Sequence, residues 1–232
     1  MNIKKGDFVE LEYTGKVTED NFVFDTTNEE VAKEKGIHNP EAEYGPTVVC
    51  IGQRHLLKGL DEFLVGKELG KEYTVKLPPE LAFGKKNAQF LKLIPLTAFK
   101  KAKMMPEVGM QVEIDGQMGI VKTVSGGRVV VDFNHPLASK EIEYQIKPVK
   151  QITDDAEKVK WVIILTIHIK KNKVHVSLTD GKATIKTIKL PEVFQKELTK
   201  KIKELVPTVK EVVYEENKQE EKPKQALNTS GQ

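Results

Sequence analysis

The sequence predicts an α+β fold in which an antiparallel sheet wraps on a short helix and two further units follow. Short segments of alternating apolar and polar residues, separated by Gly-, Asn- and Asp-rich turns, predict antiparallel strands. A single leucine-rich segment between two of these strands predicts a helix too short to be stable alone in water, so it must lie against the sheet. Shifts in composition along the 232 residues divide the chain into a first unit, a β-rich insert and a small α+β C-terminal unit.

The first predicted elements are a hairpin and a short helix. Residues 4–17, KKGDFVELEYTGKV, alternate in polarity as expected for a strand with one buried face. TEDN has turn chemistry, and FVFDTT at 22–27 returns as the partner strand. Asn28 is placed as an N-cap and Gly36 as a stop, which predicts a helix between them. A loop then leads to the next strand.

The central stretch of the first unit runs from residue 47 to 85. TVVCIG predicts a strand, and HLLKGLDEFLVG predicts a helix that Gly66 ends. KEYTVKL predicts a second strand, which stops at Pro78-Pro79 ahead of a loop that carries Phe83. The helix and this loop together predict a shallow apolar cup. The apolar residues at helical spacing are Leu56, Leu57, Leu60, Phe63 and Leu64.

Several of these pieces, in this order, resemble the FKBP-type peptidyl-prolyl isomerases of the SlyD-like or long archaeal type. Residues 51–85 resemble the family's core, and residues 9–27 resemble its first long strand pair, with Tyr13 and Phe24-Asp25 in place. Ala82-Phe83-Gly84 is similar to the family's Ala-Tyr-Gly loop. The resemblance implies an antiparallel half-barrel over residues 1–85 and 134–153, and catalysis of rotation about X–Pro bonds.

The resemblance also implies which residues form the site. Asp25 would face the substrate carbonyl, and the Leu57 backbone N–H would hold the peptide. Leu60 replaces a floor residue that is often Trp, which makes the pocket roomier, and Phe83 lacks the hydroxyl of the family's Tyr, at a cost of ~1 kcal/mol in affinity. The expected catalytic residues are Tyr13, Phe24, Asp25, Leu56, Leu57, Leu60, Phe83 and Tyr144.

Prolyl isomerisation makes and breaks no covalent bond, so we expect no nucleophile, no acid–base pair and no cofactor. The alternative is that the same apolar residues only fill a β-sheet core, and we accept that role for Phe8, Leu64 and Val75. Asp25 fits it poorly, because a buried carboxylate between Phe24 and two threonines needs partners. The alternative function is a non-catalytic binding module that holds unfolded segments.

Residues 86–133 predict a β-rich insert. MQVEI, MGIVKTV and RVVVDF are short strands joined by the hairpin turns Asp115-Gly116 and Gly126-Gly127. The segment resembles the insert-in-flap chaperone domain of SlyD-type isomerases, and Asn134-His135-Pro136 is similar to that subfamily's return to the core. Its flexible methionines suit a surface that accepts many unfolded chains, unless the apolar residues all serve the insert's own core. The expected client-binding residues are Phe90, Leu91, Leu93, Ile94, Phe99, Met104, Met105, Met110 and Met118.

Residues 155–214 predict a small α+β domain. WVIILTIHI at 161–169, NKVHVSLTD and KATIKTIKL are read as strands, followed by an amphipathic helix with Pro191 in its first turn and by a last strand. An apolar face or free edge here would support a homodimer or a further client surface. The charged segment 215–232 is poor in apolar residues and is expected to be disordered.

Composition excludes several classes of protein. The 37 Lys and Arg are scattered and nearly balanced by 34 Asp and Glu, which argues against nucleic-acid binding; that alternative would need salt-dependent binding by the Lys-rich C-terminal part. The lone Cys50 excludes an internal disulfide and fits a cytoplasmic protein. No apolar segment is long enough to span a membrane as a helix. The five histidines are dispersed, so no metal site is expected.

Overall fold

The computed structural model describes residues 2–216, which form three separate sheets and five α-helices within that range. The helices are α1 (Glu29–Glu34), α2 (Lys58–Leu64), α3 (Leu96–Lys101), α4 (Asp155–Ile167) and α5 (Glu192–Leu205). The strands are β1 (Phe8–Val17), β2 (Val23–Thr26), β3 (Thr47–Cys50), β4 (Tyr73–Leu77), β5 (Leu91–Pro95), β6 (Gln111–Ile114), β7 (Gln117–Ser125), β8 (Arg128–Asp132), β9 (Ile142–Ile152), β10 (His175–Thr179), β11 (Lys182–Thr187) and β12 (Glu211–Glu216).

The first sheet is antiparallel, with strand order β2-β1-β9-β4 and with β3 also paired to β1. The predicted α+β class and the predicted hairpin between β1 and β2 are confirmed. Helix α2 lies on one face of this sheet, where Leu60 and Leu64 pack with Val9, Leu11 and Ile146. At the far end of β9, Pro148 lies at a bulge in the pairing with β1, where a residue without an N–H is tolerated.

Helix α1 begins as the sequence predicts. The Asn28 side chain accepts hydrogen bonds from the backbone N–H groups of Glu30 and Val31. Gly36 follows the helix with a positive φ of 70°, a conformation that favours glycine. The loop from residue 37 to 46 then leads to β3.

The second sheet interrupts the first between β4 and β9, with strand order β5-β8-β7-β6. Helix α3 covers one face through Phe99, which packs with Val112, Val121, Val129 and Val131. Strands β6, β7 and β8 match predicted segments. Strand β5 and helix α3 were not predicted as elements, although their apolar residues were noted.

The two chain segments that enter and leave this sheet are tied together. The Asn87 N–H donates to the Asn134 side chain at 2.7 Å, and the Asn134 amide donates to the Asn87 carbonyl at 3.1 Å. The Lys86 N–H donates to the Ser139 hydroxyl at 2.8 Å. The second sheet is therefore attached through two adjacent, hydrogen-bonded segments.

The C-terminal unit has a three-stranded sheet, β10-β11-β12, in which β11 and β12 are parallel. The prediction of a strand over 161–169 is wrong, because most of that segment belongs to helix α4. An apolar run of this kind cannot be assigned by periodicity alone when it is buried from several sides. Asp154 caps the helix by accepting a hydrogen bond from the Glu157 N–H at 2.7 Å. Pro191, expected in the first turn of α5, is its N-cap.

The C-terminal unit and the first sheet share one hydrophobic core. Phe8, Val48 and Ile152 on the first sheet pack in the same cluster as Val162 and Ile163 of α4. The neighbouring Val9 faces the opposite cluster with α2, so this part of the first sheet is covered on both faces. The end of the chain differs in part from the expected tail, because Glu215 and Glu216 belong to β12; the rest of that prediction, from 217 to 232, lies outside the described residues.

Gly59 in α2 provides a test of this packing. Glycine-to-alanine changes in helices usually stabilise by about 1 kcal/mol. A Cβ at Gly59, however, would lie 2.6 Å from a methyl of Leu77 and 3.1 Å from the Leu81 carbonyl oxygen. We expect Gly59→Ala to destabilise the protein by about 1–3 kcal/mol in urea unfolding, because the helix must move off the sheet. A gain in stability would contradict the close contact of α2 with β4.

Candidate active site

Four aromatic rings form a wall on the first sheet. The Phe24 ring makes edge contacts with Tyr144, at 5.8 Å between centroids, and with Phe83, at 5.6 Å. Tyr13 contacts Tyr144 at 5.8 Å, also edge to face. Such edge-to-face contacts fix the relative orientation of the rings. The rings come from β1, β2, β9 and the loop after β4, so the fold brings together residues that are up to 131 positions apart, from Tyr13 to Tyr144.

Gly15 on β1 makes room for this wall. In the sheet register Gly15 lies opposite Asp25 on one side and Tyr144 on the other. A Cβ at this position would lie 2.8 Å from the Tyr144 ring and 2.9 Å from the Phe24 ring. The two rings can therefore lie directly over the strand only because residue 15 has no side chain.

The floor of the cup comes from helix α2 and the residues before it. Leu60 is buried in the core cluster, and Leu56 and Leu57 are half-buried against that cluster. Leu57 is the N-cap of α2, and within residues 2–216 its backbone N–H has no hydrogen-bond partner. An apolar floor and a free N–H donor are thus adjacent.

Asp25 is the charged group of the cup. Burial raises the pKa of its carboxyl, while hydrogen bonds from the Tyr13 hydroxyl and the Thr26 backbone N–H lower the pKa without cancelling that rise. Burial, followed by the nearby Asp25 charge, raises the pKa of the Tyr13 phenol far above its usual range. Tyr13 is therefore a neutral donor that holds a partly dehydrated carboxylate in place.

A cavity of about 310 Å³ lies beside Asp25, and one of its walls comes from the loop 37–46. Tyr44 lines this cavity, stacks on His38 at 5.3 Å and accepts a hydrogen bond from the Asn39 N–H at 2.9 Å. Sequence reasoning missed Tyr44, although an aromatic residue directly before Gly45 was an available signal. A larger, open groove of about 590 Å³ shares Tyr13 and Tyr44 with this cavity, but it is lined mostly by polar side chains and fits an apolar proline ring less well.

His135 is a second residue that sequence reasoning did not assign to the site. Its ring stacks on Phe83 at 4.5 Å and nearly parallel, at 5°. Its Nδ1 accepts a hydrogen bond from the Leu137 N–H, so the neutral ring carries its proton on Nε2. The segment that returns from the second sheet thus forms part of the rim of the cup.

The second sheet exposes apolar residues on the face opposite α3. Leu93 and Met118 are 57% and 60% exposed, and Leu91 alternates with Lys92 so that it shares the face of Leu93. Phe90, Met105 and Met110 are also exposed. Ile94 and Met104 line a separate groove of about 220 Å³.

The expectation of Phe99 as a surface residue requires correction. Phe99 is only 5% exposed and packs in the core between α3 and the sheet, with one side forming the floor of the 220 Å³ groove. In a unit this small, the largest side chain of its one helix is needed to fill the core.

Other features of the described chain bear on the kind of site. Within residues 2–216 no group of three or more His, Cys, Asp and Glu side chains is arranged to hold a metal ion. No helix in the same range is long and apolar enough to cross a membrane. Cys50 is buried, and burial raises the pKa of its thiol to about 12.

Comparison with known proteins matches most of the described chain. A family model described as FKBP-type peptidyl-prolyl cis-trans isomerase matches residues 1–99, and another, described as FKBP26, IF domain, matches residues 92–137. The chain is 40% identical over 145 residues to the short-type peptidyl-prolyl cis-trans isomerase of Methanocaldococcus jannaschii, an alignment that covers 62% of this chain and 91% of that relative.

Bacterial isomerases are more distant. The probable FKBP-type 16 kDa peptidyl-prolyl cis-trans isomerase of Pseudomonas fluorescens is 31% identical over 44% of this chain and 70% of its own length. The FKBP-type isomerase SlyD of Vibrio cholerae is 33% identical over 45% of this chain and 54% of its own length. Nearly the whole of the archaeal relative aligns with this chain, and the chain therefore belongs to the FKBP-type peptidyl-prolyl cis-trans isomerase family.

Proposed function

We propose that the cup formed by the aromatic wall, Asp25 and the α2 floor is the prolyl isomerase site, and that the second sheet captures unfolded polypeptide clients for it. The observation that supports the first part is that Asp25, a partly dehydrated carboxylate, lines one cavity together with Tyr13 and Phe24 of the aromatic wall. Of the eight residues expected from the sequence, seven pack in or against one hydrophobic cluster, and the eighth, Asp25, lines the neighbouring cavity, which supports the assignment.

The chemistry of rotation fits such a cup. Amide resonance imposes a barrier of ~18–20 kcal/mol, and the planar ground state is more polar than the twisted transition state. Apolar walls disfavour the planar form, and a fixed dipole or charge beside the carbonyl favours the twisted one. Asp25 would act through its field on the carbonyl, while the Leu57 N–H would hold the peptide backbone.

The proposed client surface consists of Leu91, Leu93 and Met118 on the open face of the second sheet. Exposed apolar patches of this kind mark interaction sites, and unbranched methionine adapts to many partners. Within the described residues β5 and β6 each pair on one side only, so both edges could also accept an extended client strand. Unfolded, proline-containing polypeptides would bind here, and the hydrogen-bonded segments that connect the two sheets would keep them near the cup.

We further propose that the protein is cytoplasmic, because a free, buried cysteine suits a reducing compartment.

We also propose that the C-terminal unit pairs two copies of the chain. Val193 and Phe194 in the first turn of α5, and Ile188 four residues before the helix, are exposed, which supports an interface there. A light-scattering mass of one chain at high protein concentration would refute the pairing.

Replacement of Asp25 by Asn should separate activity from stability. We expect Asp25→Asn to lower turnover of an X–Pro peptide about tenfold, equivalent to a change of ~1.4 kcal/mol in the barrier. Stability in urea at pH 7 should be equal or greater, because the variant no longer keeps a buried charge. The raised pKa means that protonation favours the folded state, so this advantage should disappear below the ordinary pKa of Asp.

The matched control is Asp180→Asn, the same chemical change in an exposed turn of the C-terminal unit. It should change neither turnover nor stability. Full peptide turnover by Asp25→Asn would contradict the role of the carboxylate in the cup.

The client surface can be tested by the double change Leu91→Ser and Leu93→Ser. We expect catalysed refolding of a proline-limited protein to fall several-fold, because unfolded chains lose an apolar contact, while turnover of a short peptide stays unchanged. Val65→Ser removes an exposed apolar side chain outside both the second sheet and the proposed pairing interface, and serves as the control. Equal losses in refolding with both variants would place client binding outside the second sheet.

A further inference from the structure

One side chain of the C-terminal unit reaches the loop that borders the cup. The Lys171 ammonium donates a hydrogen bond to the Pro46 carbonyl at 3.4 Å. The same ammonium lies over the Trp161 ring, 5.0 Å from its centroid. Trp161 is only 7% exposed and fixed in the shared core, so it restricts where Lys171 can point.

Pro46 ends the loop 37–46, which has no helix or strand of its own. Just before it, Tyr44 and Gly45 line the cavity beside Asp25. On the side of the first sheet, the loop is anchored by the Gly45 N–H, which donates to the Thr27 carbonyl at 2.8 Å. The Lys171 contact anchors the same loop to the C-terminal unit. It is made at Pro46, two residues after Tyr44, whose ring borders the cavity.

We propose that Lys171 is a positioning residue for the prolyl isomerase site: it fixes Pro46 and thereby the Tyr44 wall of the cavity beside Asp25. The C-terminal unit then sets how tightly the cup binds peptide. This inference rests on the proposed assignment of the cup as the proline site.

The chemistry of lysine suits this role. Its ammonium can donate to a carbonyl and interact with an aromatic face at the same time, and a charged donor makes a stronger hydrogen bond than a neutral one. A methionine at this position would keep an apolar stem on Trp161 but could not donate. An arginine would keep both the donor and the contact with the ring.

The coupling must act in both directions. If the Lys171–Pro46 contact strengthens peptide binding, then bound peptide strengthens that contact by the same free energy. Trp161 is the single tryptophan of the chain, so intrinsic fluorescence reports on this contact without labelling.

The experiment uses the full-length protein and compares wild type with Lys171→Met, Lys171→Arg and Lys170→Met, a neighbouring exposed lysine that controls for loss of charge. With an X–Pro peptide, we expect Lys171→Met to raise KM about fivefold with kcat within about twofold, and Lys171→Arg to restore most of the affinity. Saturating peptide should shift Trp161 emission in wild type and in Lys170→Met but not in Lys171→Met.

An unchanged KM in Lys171→Met, or the same rise in Lys170→Met, would overturn the positioning role. So would a peptide-dependent emission change that survives in Lys171→Met. If Asp25→Asn also leaves turnover unchanged, the assignment of the cup itself fails. If Asp25→Asn lowers turnover while Lys171→Met does not alter KM, only the inference about Lys171 fails.

Discussion

The architecture depends on the pairing of β9 with β1. Strand β9 lies between β1 and β4 and pairs with β1 along the whole of that strand, from Phe8 to Val17. Yet β9 follows the inserted sheet in the chain, so the first sheet can close only after the chain has returned from the insert. Tyr144, near the start of β9, completes the aromatic wall. The strand that closes the sheet therefore also completes the site.

The two faces of the first sheet have different roles. One face carries α2 and the cup, and part of the other is buried against α4 in a shared core. The base of the sheet is thus covered by the C-terminal unit, while the loop 37–46, Phe83 and His135 lie at the rim of the cup. The second sheet is attached at this rim through hydrogen-bonded segments around Asn87 and Asn134.

Local patterns in the sequence were sufficient to predict much of this arrangement. Alternating polarity and turn chemistry identify the hairpins, and the cap at Asn28 and the leucine spacing identify α1 and α2. The cup residues followed from the ordered motifs of a family, not from periodicity. Helix α4 could not be predicted, because a helix buried against other elements loses the polar face that distinguishes it from a strand.

The other residues whose roles were not predicted from the sequence make contacts that depend on the tertiary structure. Tyr44 and His135 reach the cup from loops whose paths no local pattern determines, and the burial of Phe99 depends on which face of the second sheet α3 covers. The same holds for Lys171, which contacts Pro46 across 125 positions of sequence.

The most direct measurement replaces residues 86–133 with a short loop, which the adjacent tethered segments can accept. It then compares this variant with the full chain in two reactions: turnover of an X–Pro peptide and refolding of a proline-limited protein. If the cup isomerises and the second sheet captures clients, peptide turnover will be retained while catalysis of refolding falls steeply. If neither protein accelerates either reaction, the cup is not an isomerase site. If both reactions fall in parallel, the second sheet is part of the cup and not a separate client surface.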